Sequence, residues 1–262
     1  MIQVEQLTKI YAANTAIDRL DFRIEKGEIV GFLGVNGAGK STTMRILAGA
    51  LGATSGRALI GGIDVFQKPR VVKRMLGYLP EVPPLYVDMT VRQFLRFAAR
   101  IKGAASPVQA AERAISRVQL DGVAHRLIDH LSKGYRQRVG IAQALVHDPR
   151  VLILDEPTSG LDPAQRVEIR NLVQELAGGD VTVILPTHVL SEVEAICKRV
   201  IIIDRGRIVA EDTLAHLAGE GTAVRVRVAR PSAEIQAALA AVPGVVRVEP
   251  EADGGYAVTA EG

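Results

Sequence analysis

The 262-residue sequence contains a single cysteine, Cys197, no tryptophan, and only 4% aromatic residues. One cysteine cannot form a disulfide within the chain, and such sparse use is typical of reducing compartments. No apolar run approaches the roughly 20 residues that a membrane-spanning helix requires. The first residues, Met1–Ile10, lack the basic segment followed by an apolar one that marks a signal peptide. These absences predict a soluble, cytoplasmic protein.

The charge balance gives little reason to expect a nucleic-acid partner. Lys and Arg total 32, Asp and Glu total 29, and the net charge is +3. Nucleic-acid-binding proteins concentrate basic residues in stripes with aromatics between them, whereas the longest basic cluster here is Arg136–Arg138. With 48% hydrophobic and 23% charged residues, the composition is that of a globular protein able to form a core without disulfides or metals.

Apolar runs of strand length alternate with segments of helical character. Buried strands are predicted for four runs: Ile29–Leu33, Val151–Leu154, Val181–Leu185 and Val200–Ile203. Helices are predicted at Ser41–Ala50, Ala164–Leu176 and Ser191–Lys198. A further, half-buried strand is indicated where Leu20, Phe22 and Ile24 alternate with charged residues. This alternation predicts an α/β fold with a mostly parallel sheet covered by helices.

A helical block, residues 84–148, is inserted between two of these strands. Thr90 is the expected N-cap of its first helix, whose apolar stripe is Val91, Phe94, Ala98 and Ile101. Ser106, Pro107 and Gln109 predict a second helix start with an N-cap, a first-position proline and a capping-box partner. The apolar stripe of that second helix is Val108, Ala111, Ile115 and Val118. A third helix is predicted at Gly134–His147.

The character of the sequence changes again near residue 221. The pattern predicts a β-α-β-β unit. Its first strand is indicated by the alternating Val224, Val226 and Val228, and its helix by Ala233–Val242. Two short strands follow at Val245–Val248 and Tyr256–Val258, with a turn at Asp253–Gly255 between them. This small α+β piece is either half of a ferredoxin-like module that another subunit completes or part of a segment that has been cut short. The predicted domains are therefore residues 1–220 and an accessory segment, residues 221–262.

A phosphate-binding loop is predicted at Gly34–Ser41, which fits G-x-x-x-x-G-K-[ST] between a strand and a helix. Its glycines let successive backbone N–H groups point into one concavity, and the helix adds the positive end of its dipole. Lys40 would reach the β- and γ-phosphates, and Ser41 would bind Mg²⁺. The predicted nucleotide-binding residues of this segment are Gly34, Asn36, Gly37, Ala38, Gly39, Lys40, Ser41 and Thr42.

Two acidic residues follow the apolar run Val151–Leu154. Side chains at the carboxyl edge of a parallel sheet lie where ligands bind in open α/β folds. Asp155 would hold Mg²⁺ through water, and Glu156 would polarise the water that attacks the terminal phosphate. Paired with the phosphate loop, these carboxylates predict nucleotide hydrolysis.

Further motifs resemble those of ATP-binding-cassette (ABC) ATPases. Leu131–Arg138 resembles the Leu-Ser-Gly-Gly-Gln signature, Asp155–Pro163 matches the run through the D-loop, and His188 matches the switch histidine. The resemblance covers residues 1 to about 215 and is greatest to the ATPase subunits of exporters that handle drugs, polysaccharides or gliding-motility components. It implies an ABC-type P-loop NTPase fold: a mostly parallel core, an antiparallel β-subdomain and an inserted helical subdomain.

The resemblance also implies a role for each matching residue. Tyr11 would stack on adenine, His188 would contact the γ-phosphate, and Ser132 and Gly134 would contact the γ-phosphate of ATP held by a second subunit. Glu81 stands where the family usually has Gln, which senses Mg²⁺ and the membrane partner. The expected catalytic residues are Lys40, Glu156 and His188, and the expected metal-binding residues are Ser41, Asp155 and Glu81. Lys133 and Tyr135 depart from the signature.

The function that the resemblance implies is ATP hydrolysis, with Mg²⁺, that powers transport. The expected partners are a second copy of the ATPase subunit and a separate multi-spanning permease that contacts Pro80–Val87 and the helical block. The expected location is the inner face of the cell membrane, and the expected direction is export. One alternative is a soluble ABC ATPase of ribosomes or nucleic acid; those of translation generally carry two cassettes, whereas one phosphate loop is present here. An unrelated P-loop kinase or GTPase is disfavoured by the signature and His188.

Overall fold

A computed structural model describes residues 1–12, 14–177, 181–214, 222–228, 232–250 and 255–260. The chain divides into two compact units, Met1–Glu211 and Asp212–Gly262. None of the helices in these described ranges combines the length and the apolar composition that a bilayer crossing requires.

The first unit begins with an antiparallel sheet. Its strands are β1 (Ile2–Tyr11), β2 (Asn14–Ile24), β4 (Ser55–Ile60) and β5 (Ile63–Asp64), in the order β2-β1-β4-β5. Leu20, Phe22 and Ile24 are buried on β2 while the residues between them are exposed, which confirms the half-buried strand. The other three strands carry weaker period-two patterns and were not predicted individually, although the family resemblance implies the sheet.

A six-stranded sheet forms the centre of this unit. Its strands are β3 (Ile29–Leu33), β6 (Leu76–Leu79), β7 (Val151–Leu154), β8 (Thr182–Thr187), β9 (Arg199–Asp204) and β10 (Arg207–Thr213). The order is β10-β9-β3-β8-β7-β6, and the pairs β3–β8, β3–β9, β7–β8 and β6–β7 are parallel. The four predicted apolar strands are confirmed. Their parallel pairing brings the carboxyl ends of β3, β7 and β8 to one edge.

Four helices accompany the sheets: α1 (Lys40–Leu47), α2 (Pro69–Met75), α6 (Pro163–Ala177) and α7 (Leu190–Ile196). The predicted helices match α1, α6 and α7, with ends shifted by up to three residues. Helix α1 contacts β2, β4 and β8, whereas α7 contacts β3 and β8. Phe32 of β3 and Met44 of α1 are fully buried in the shared core, so the loop between them is anchored on both sides.

The inserted block contains α3 (Val91–Ile101), α4 (Pro107–Arg117) and α5 (Lys133–Leu145), with short 3₁₀ turns at Asp121–Val123 and Ile128–His130. Thr90 caps α3 as predicted and forms a full capping box with Gln93. The capping box predicted at Ser106 is wrong, because its side chain makes no cap hydrogen bond. Its backbone has ψ 91°, whereas Thr90 has ψ 156°, so its hydroxyl is not directed at the third amide.

The apolar stripes predicted for α3 and α4 are only partly buried. Phe94 and Ala111 are buried, but Ile101 is 68% exposed and Val108 is 46% exposed. Ile101 is the last residue of α3 and Val108 the second residue of α4, so both stand at helix ends. Ile101 instead lines an open groove on this block.

The second unit contains β11 (Thr222–Arg227), α8 (Ala233–Ala240), β12 (Val245–Pro250) and β13 (Gly255–Ala260). The strands form an antiparallel sheet in the order β11-β13-β12, which confirms the predicted β-α-β-β sequence of elements. Ser232 caps α8, and its backbone exchanges two 2.9 Å hydrogen bonds with the hydroxyl of buried Tyr256. The predicted turn at Asp253–Gly255 lies mostly outside the described residues.

Candidate active site

The loop between β3 and α1 has a backbone that only glycine permits at several points. Gly37 and Gly39 have φ of 83° and 110°, in the left-handed region. Gly34 is held against the neighbouring strand, because a Cβ there would lie 2.4 Å from the carbonyl oxygen of Ile203. The loop can therefore wrap closely around an anion with its N–H groups exposed to it.

Lys40 is the first residue of α1, and its side chain is turned back into this loop. The Nζ donates hydrogen bonds to the carbonyl oxygens of Gly34, at 2.6 Å, and Val35, at 3.2 Å. The residue is 6% exposed, and within the described ranges it forms no ion pair with a carboxylate. A buried ammonium held only by carbonyls favours the arrival of an anion.

Asp155 follows the last residue of β7 and is buried. Ser41, at the start of α1, is close enough to this carboxyl group to lower its pKa. Burial, together with the carboxylates of Glu156 and Glu81, raises the pKa of Asp155 to about 6 against the opposing effects of Lys40 and Ser41. Negative charge is thus concentrated beside the phosphate loop.

Glu156 adopts a backbone conformation that is uncommon for a residue with a side chain. Its φ is 48°, its N–H donates to the carbonyl of Pro186 at 3.0 Å, and the residue is 7% exposed. Its Oε1 lies 2.7 Å from Nδ1 of His188, and its Oε2 accepts from the Thr187 hydroxyl at 3.1 Å. A strained backbone with a fully engaged carboxylate is typical of functional positions.

These residues share a cavity of about 280 Å³ at the carboxyl edge of the central sheet. Its lining residues are Ala16, Asn36, Gly37, Gly39, Lys40, Ser41, Thr42, Glu81, Glu156 and His188. Four separate stretches of sequence therefore meet in space: the phosphate loop, Glu81, Glu156 and His188. The sequence did not predict Ala16 at this site, nor the hydrogen bond from Thr187 to Glu156. Thr187 stands beside His188 in the sequence, but no role was predicted for it.

Tyr11 lies at the β1–β2 hairpin, paired with Asn14. It is 43% exposed, and the Nζ of Lys9 stands 5.1 Å from its ring centroid. Tyr11 is not among the described residues that line the cavity, although Ala16 of the same hairpin is. The ring is therefore free to present a face to solvent.

Ser132 and Gly134 lie elsewhere, at the start of α5. The hydroxyl of Ser132 accepts from the N–H of Tyr135 at 3.4 Å, and a Cβ on Gly134 would lie 2.9 Å from the side chain of Gln165 on α6. Both residues line a second cavity, of about 520 Å³, between α5 and α6. No residue lines both this second cavity and the first, so the described chain does not bring the two sets together.

The donor set beside the phosphate loop fits Mg²⁺. The hydroxyl of Ser41 and the carboxylates of Asp155 and Glu81 are oxygen ligands, which Mg²⁺ prefers. Within the described residues, no group of three or more His, Cys, Asp or Glu side chains is arranged as a metal site. The remaining ligands would therefore come from water and from the phosphates of the nucleotide.

Comparison with known families and proteins agrees with this geometry. Residues 17–159 match the family model described as ABC transporter. A bacitracin transport ATP-binding protein of Bacillus licheniformis is 39% identical over 218 residues, covering 83% of this chain and 71% of that protein. A daunorubicin resistance ATP-binding protein of Streptomyces coeruleorubidus is 36% identical over 258 residues, covering 96% and 79%.

Among solved structures, an ATP-binding subunit of an ABC transporter superposes with a TM-score of 0.75 at 31% identity, covering 83% of this chain and 91% of that one. A dimeric, post-hydrolysis ATP-binding cassette bound to ADP and Pi gives a TM-score of 0.74 at 25% identity, covering 82% and 99%.

Proposed function

The chain belongs to the ABC transporter family as an ATP-binding subunit that hydrolyses ATP, and on this premise we propose what its residues do and what it assembles with. The observation that carries the proposal is the convergence of Lys40, Ser41, Glu156 and His188 on one cavity. Water attacks the γ-phosphorus and the bond to the bridging oxygen breaks, which yields ADP and phosphate.

The phosphate loop binds and orients the triphosphate. The N–H groups of Gly34–Thr42 surround the phosphates, and Lys40 leaves the carbonyls of Gly34 and Val35 to contact the β- and γ-phosphates. Ser41 and Asp155 hold Mg²⁺, with Glu81 nearby. When bound, this ion neutralises charge on the phosphate oxygens. Tyr11, at the β1–β2 hairpin, stacks on adenine; its exposed ring supports this assignment.

Glu156 is the general base. Its carboxylate polarises the attacking water and accepts a proton, while His188, 2.7 Å away, orients that carboxylate and contacts the γ-phosphate. The backbone of Glu156 is held by the Pro186 carbonyl, and its side chain has two hydrogen-bond partners. Glu156 is therefore well suited to hold a water in line for attack.

The site is completed by a second copy of the chain. Ser132 and Gly134 contact the γ-phosphate of ATP bound to the partner subunit. Their separation from the phosphate-loop cavity within one chain supports this arrangement, as does the likeness to a dimeric cassette. The N-terminus of α5 supplies backbone N–H groups suited to an anion.

The membrane partner is a multi-spanning permease that docks on the inserted block. A groove of about 180 Å³ is lined there by Pro84, Tyr86, Phe94, Phe97 and Ile101 among others. The ring of Tyr86 is 52% exposed although it packs 5.4 Å from Phe97 and 5.9 Å from Phe94, centroid to centroid. Tyr86 and Ile101, which is 68% exposed, together present an apolar surface in this groove that suits an apolar helix of the permease.

The direction of transport is export, and the protein works at the inner face of the cell membrane. Relatives named for bacitracin transport and for daunorubicin and linearmycin resistance support a drug-like or antibiotic substrate. No feature of the described residues and none of these relatives favours action on ribosomes.

The division of the chain into domains is also part of the proposal. The cassette spans residues 1–220, with the helical insert at 84–148, and residues 221–262 form an accessory segment. The structure divides into two compact units, Met1–Glu211 and Asp212–Gly262, which supports this division. The boundary between these units along the chain falls nine residues before the proposed one.

Co-purification tests the assembly. The full chain is co-expressed with a tagged multi-spanning protein chosen from its neighbouring genes, the membranes are solubilised in detergent, and the complex is isolated through that tag. We expect recovery of both chains and faster ATP hydrolysis by the complex than by the ATPase chain alone. Co-sedimentation with ribosomes, without recovery on the permease, would contradict the proposal.

A further inference from the structure

A buried carboxylate stands behind the catalytic pair with no part in the mechanism described so far. Glu192, in the first turn of α7, is 8% exposed. Its Oε1 accepts a short hydrogen bond from the hydroxyl of Thr158, and its Oε2 lies 3.2 Å from the hydroxyl of Thr187. Within the described residues it forms no ion pair. Burying an unpaired carboxylate is costly, so these two hydroxyls must be what holds it.

The Thr187 hydroxyl faces two carboxylates and has a single proton. Its Oγ1 is 3.1 Å from Oε2 of Glu156 and 3.2 Å from Oε2 of Glu192, and it accepts from the N–H of Val189 at 3.1 Å. A hydroxyl donates one hydrogen bond at a time. The bond from Thr187 to Glu156 and the bond from Thr187 to Glu192 therefore compete.

The other partner of Glu192 leads toward the second cavity. Thr158 belongs to the turn after Glu156, in which the N–H of Ser159 donates to the Glu156 carbonyl and that of Leu161 to the Thr158 carbonyl. Lys133, beside Ser132, lies across this turn: a Cβ on Gly160 would meet its Nζ at 2.0 Å. A contiguous set of contacts thus runs from the start of α5 to Glu192.

We propose that Glu192 is a positioning residue that links the Ser132 segment to the general base, by holding Thr158 and by competing with Glu156 for the Thr187 proton. When Thr158 shifts as the second copy closes on the site, Glu192 shifts with it and Thr187 changes its acceptor. The orientation of Glu156, and of His188 beside it, then depends on whether the Thr158 turn is in place. This inference rests on the proposed role of Glu156.

The first test is Glu192→Gln in the full chain, with Glu194→Gln as the matched control, since Glu194 is an exposed carboxylate on the same helix. The amide keeps the size of the side chain but presents a donor to one of the two hydroxyls. We expect kcat for ATP hydrolysis to fall about 10-fold, with KM for ATP changed by less than about 2-fold, because the phosphate loop is untouched. Glu194→Gln should match the unmodified chain.

The second test is a double-mutant cycle with Thr187→Val. If Glu192 acts through Thr187, Glu192→Gln should change kcat by less than about 2-fold in the Thr187→Val background. A purely structural brace on α7 would instead lower the unfolding temperature and leave the effects on kcat additive. Thr158→Val provides a variant that leaves Glu192 in place, and it should lower kcat about 3- to 10-fold at unchanged KM.

The outcomes separate this inference from the proposed function. Undiminished turnover in Glu156→Gln would overturn the role of Glu156 and the inference with it. Slow turnover in Glu156→Gln together with unchanged kcat in both Glu192→Gln and Thr158→Val would overturn the inference alone. Additive effects in the cycle would do the same.

Discussion

The two polar cavities of the cassette differ in how complete they are. The first has a phosphate loop, a buried ammonium, the buried carboxylate of Glu156, the exposed carboxylate of Glu81 and a histidine around about 280 Å³. The second, of about 520 Å³, has Ser132 and Gly134 at a helix start, with polar side chains of α5 and α6 around them. We propose that the first cavity binds and hydrolyses the nucleotide, whereas the second contacts the γ-phosphate of ATP that the partner subunit holds.

This difference suggests why one chain has both cavities. The first cavity is built at the carboxyl edge of a parallel sheet, where strand ends necessarily converge. The second lies between α5 of the inserted block and α6, and none of the described residues lines both cavities. In the dimer that we propose, each copy offers both surfaces, so the first cavity of one copy can face the second cavity of the other. The predictions below test each cavity separately.

The largest effect is expected in the first cavity, from Glu156→Gln. The amide is nearly isosteric but cannot accept a proton, so kcat should fall roughly 100-fold or more while ATP binding is kept. Steady-state phosphate release and calorimetric ATP titration measure the two quantities, with Glu194→Gln as the control. Normal turnover in this variant would contradict the assignment of Glu156 as the general base, and with it the difference proposed between the two cavities.

Lys40→Ala should weaken ATP binding by roughly 10- to 100-fold, the scale of a hydrogen bond to a charged group. The Nζ, which now contacts the Gly34 and Val35 carbonyls, is the cation placed against the phosphates. Calorimetric titration of ATP measures the change, and Lys198→Ala, at an exposed position, is the control. Equal affinities in both variants would contradict the phosphate-loop assignment.

Ser132→Arg tests the second cavity. We expect ATP binding to the isolated chain to change by less than about 2-fold, whereas hydrolysis falls about 10-fold because the arginine prevents closure on the partner's nucleotide. In the Glu156→Gln background, which retains ATP, a sizing column should show a dimer that Ser132→Arg abolishes. Ser116→Arg, on the exposed side of α4, serves as control. Equal recovery of dimer with and without Ser132→Arg would show that the second cavity plays no part in closure.

The smallest effect is expected from Glu81→Gln. Glu81 is exposed and raises the pKa of Asp155 only as one of several contributions, so solvent screens its charge. The Mg²⁺ concentration for half-maximal hydrolysis should rise about 2- to 5-fold, because one carboxylate is lost beside the metal ligands. A Mg²⁺ titration measures this, with Glu25→Gln as control. A fall in the required Mg²⁺ would contradict the placement of Glu81 beside the ion.

The interior strands and the phosphate loop were predictable because their signals are local. Ile29–Leu33 and Val151–Leu154 are strands with the predicted bounds, since short apolar runs between polar turns have few alternative structures. Three features of the structure were not predicted from the sequence. The side chain of Ser106 does not cap α4, Ile101 is exposed, and Thr187 contacts two carboxylates. The first two depend on the backbone at helix ends, whereas the contact of Thr187 with Glu156 depends on the pairing of β7 with β8.

The sequence by itself determined which side chains to expect at the site: residue type and order predict Gly34–Ser41, Asp155 and Glu156, and the family resemblance adds His188. Only the tertiary structure decided which of these side chains meet, and that Ser132 lies outside their cavity. The reason is physical. Turns, caps and strands depend on neighbouring residues, whereas the distance between Glu156 and His188 is set by the pairing order of parallel strands, which is a property of the whole sheet.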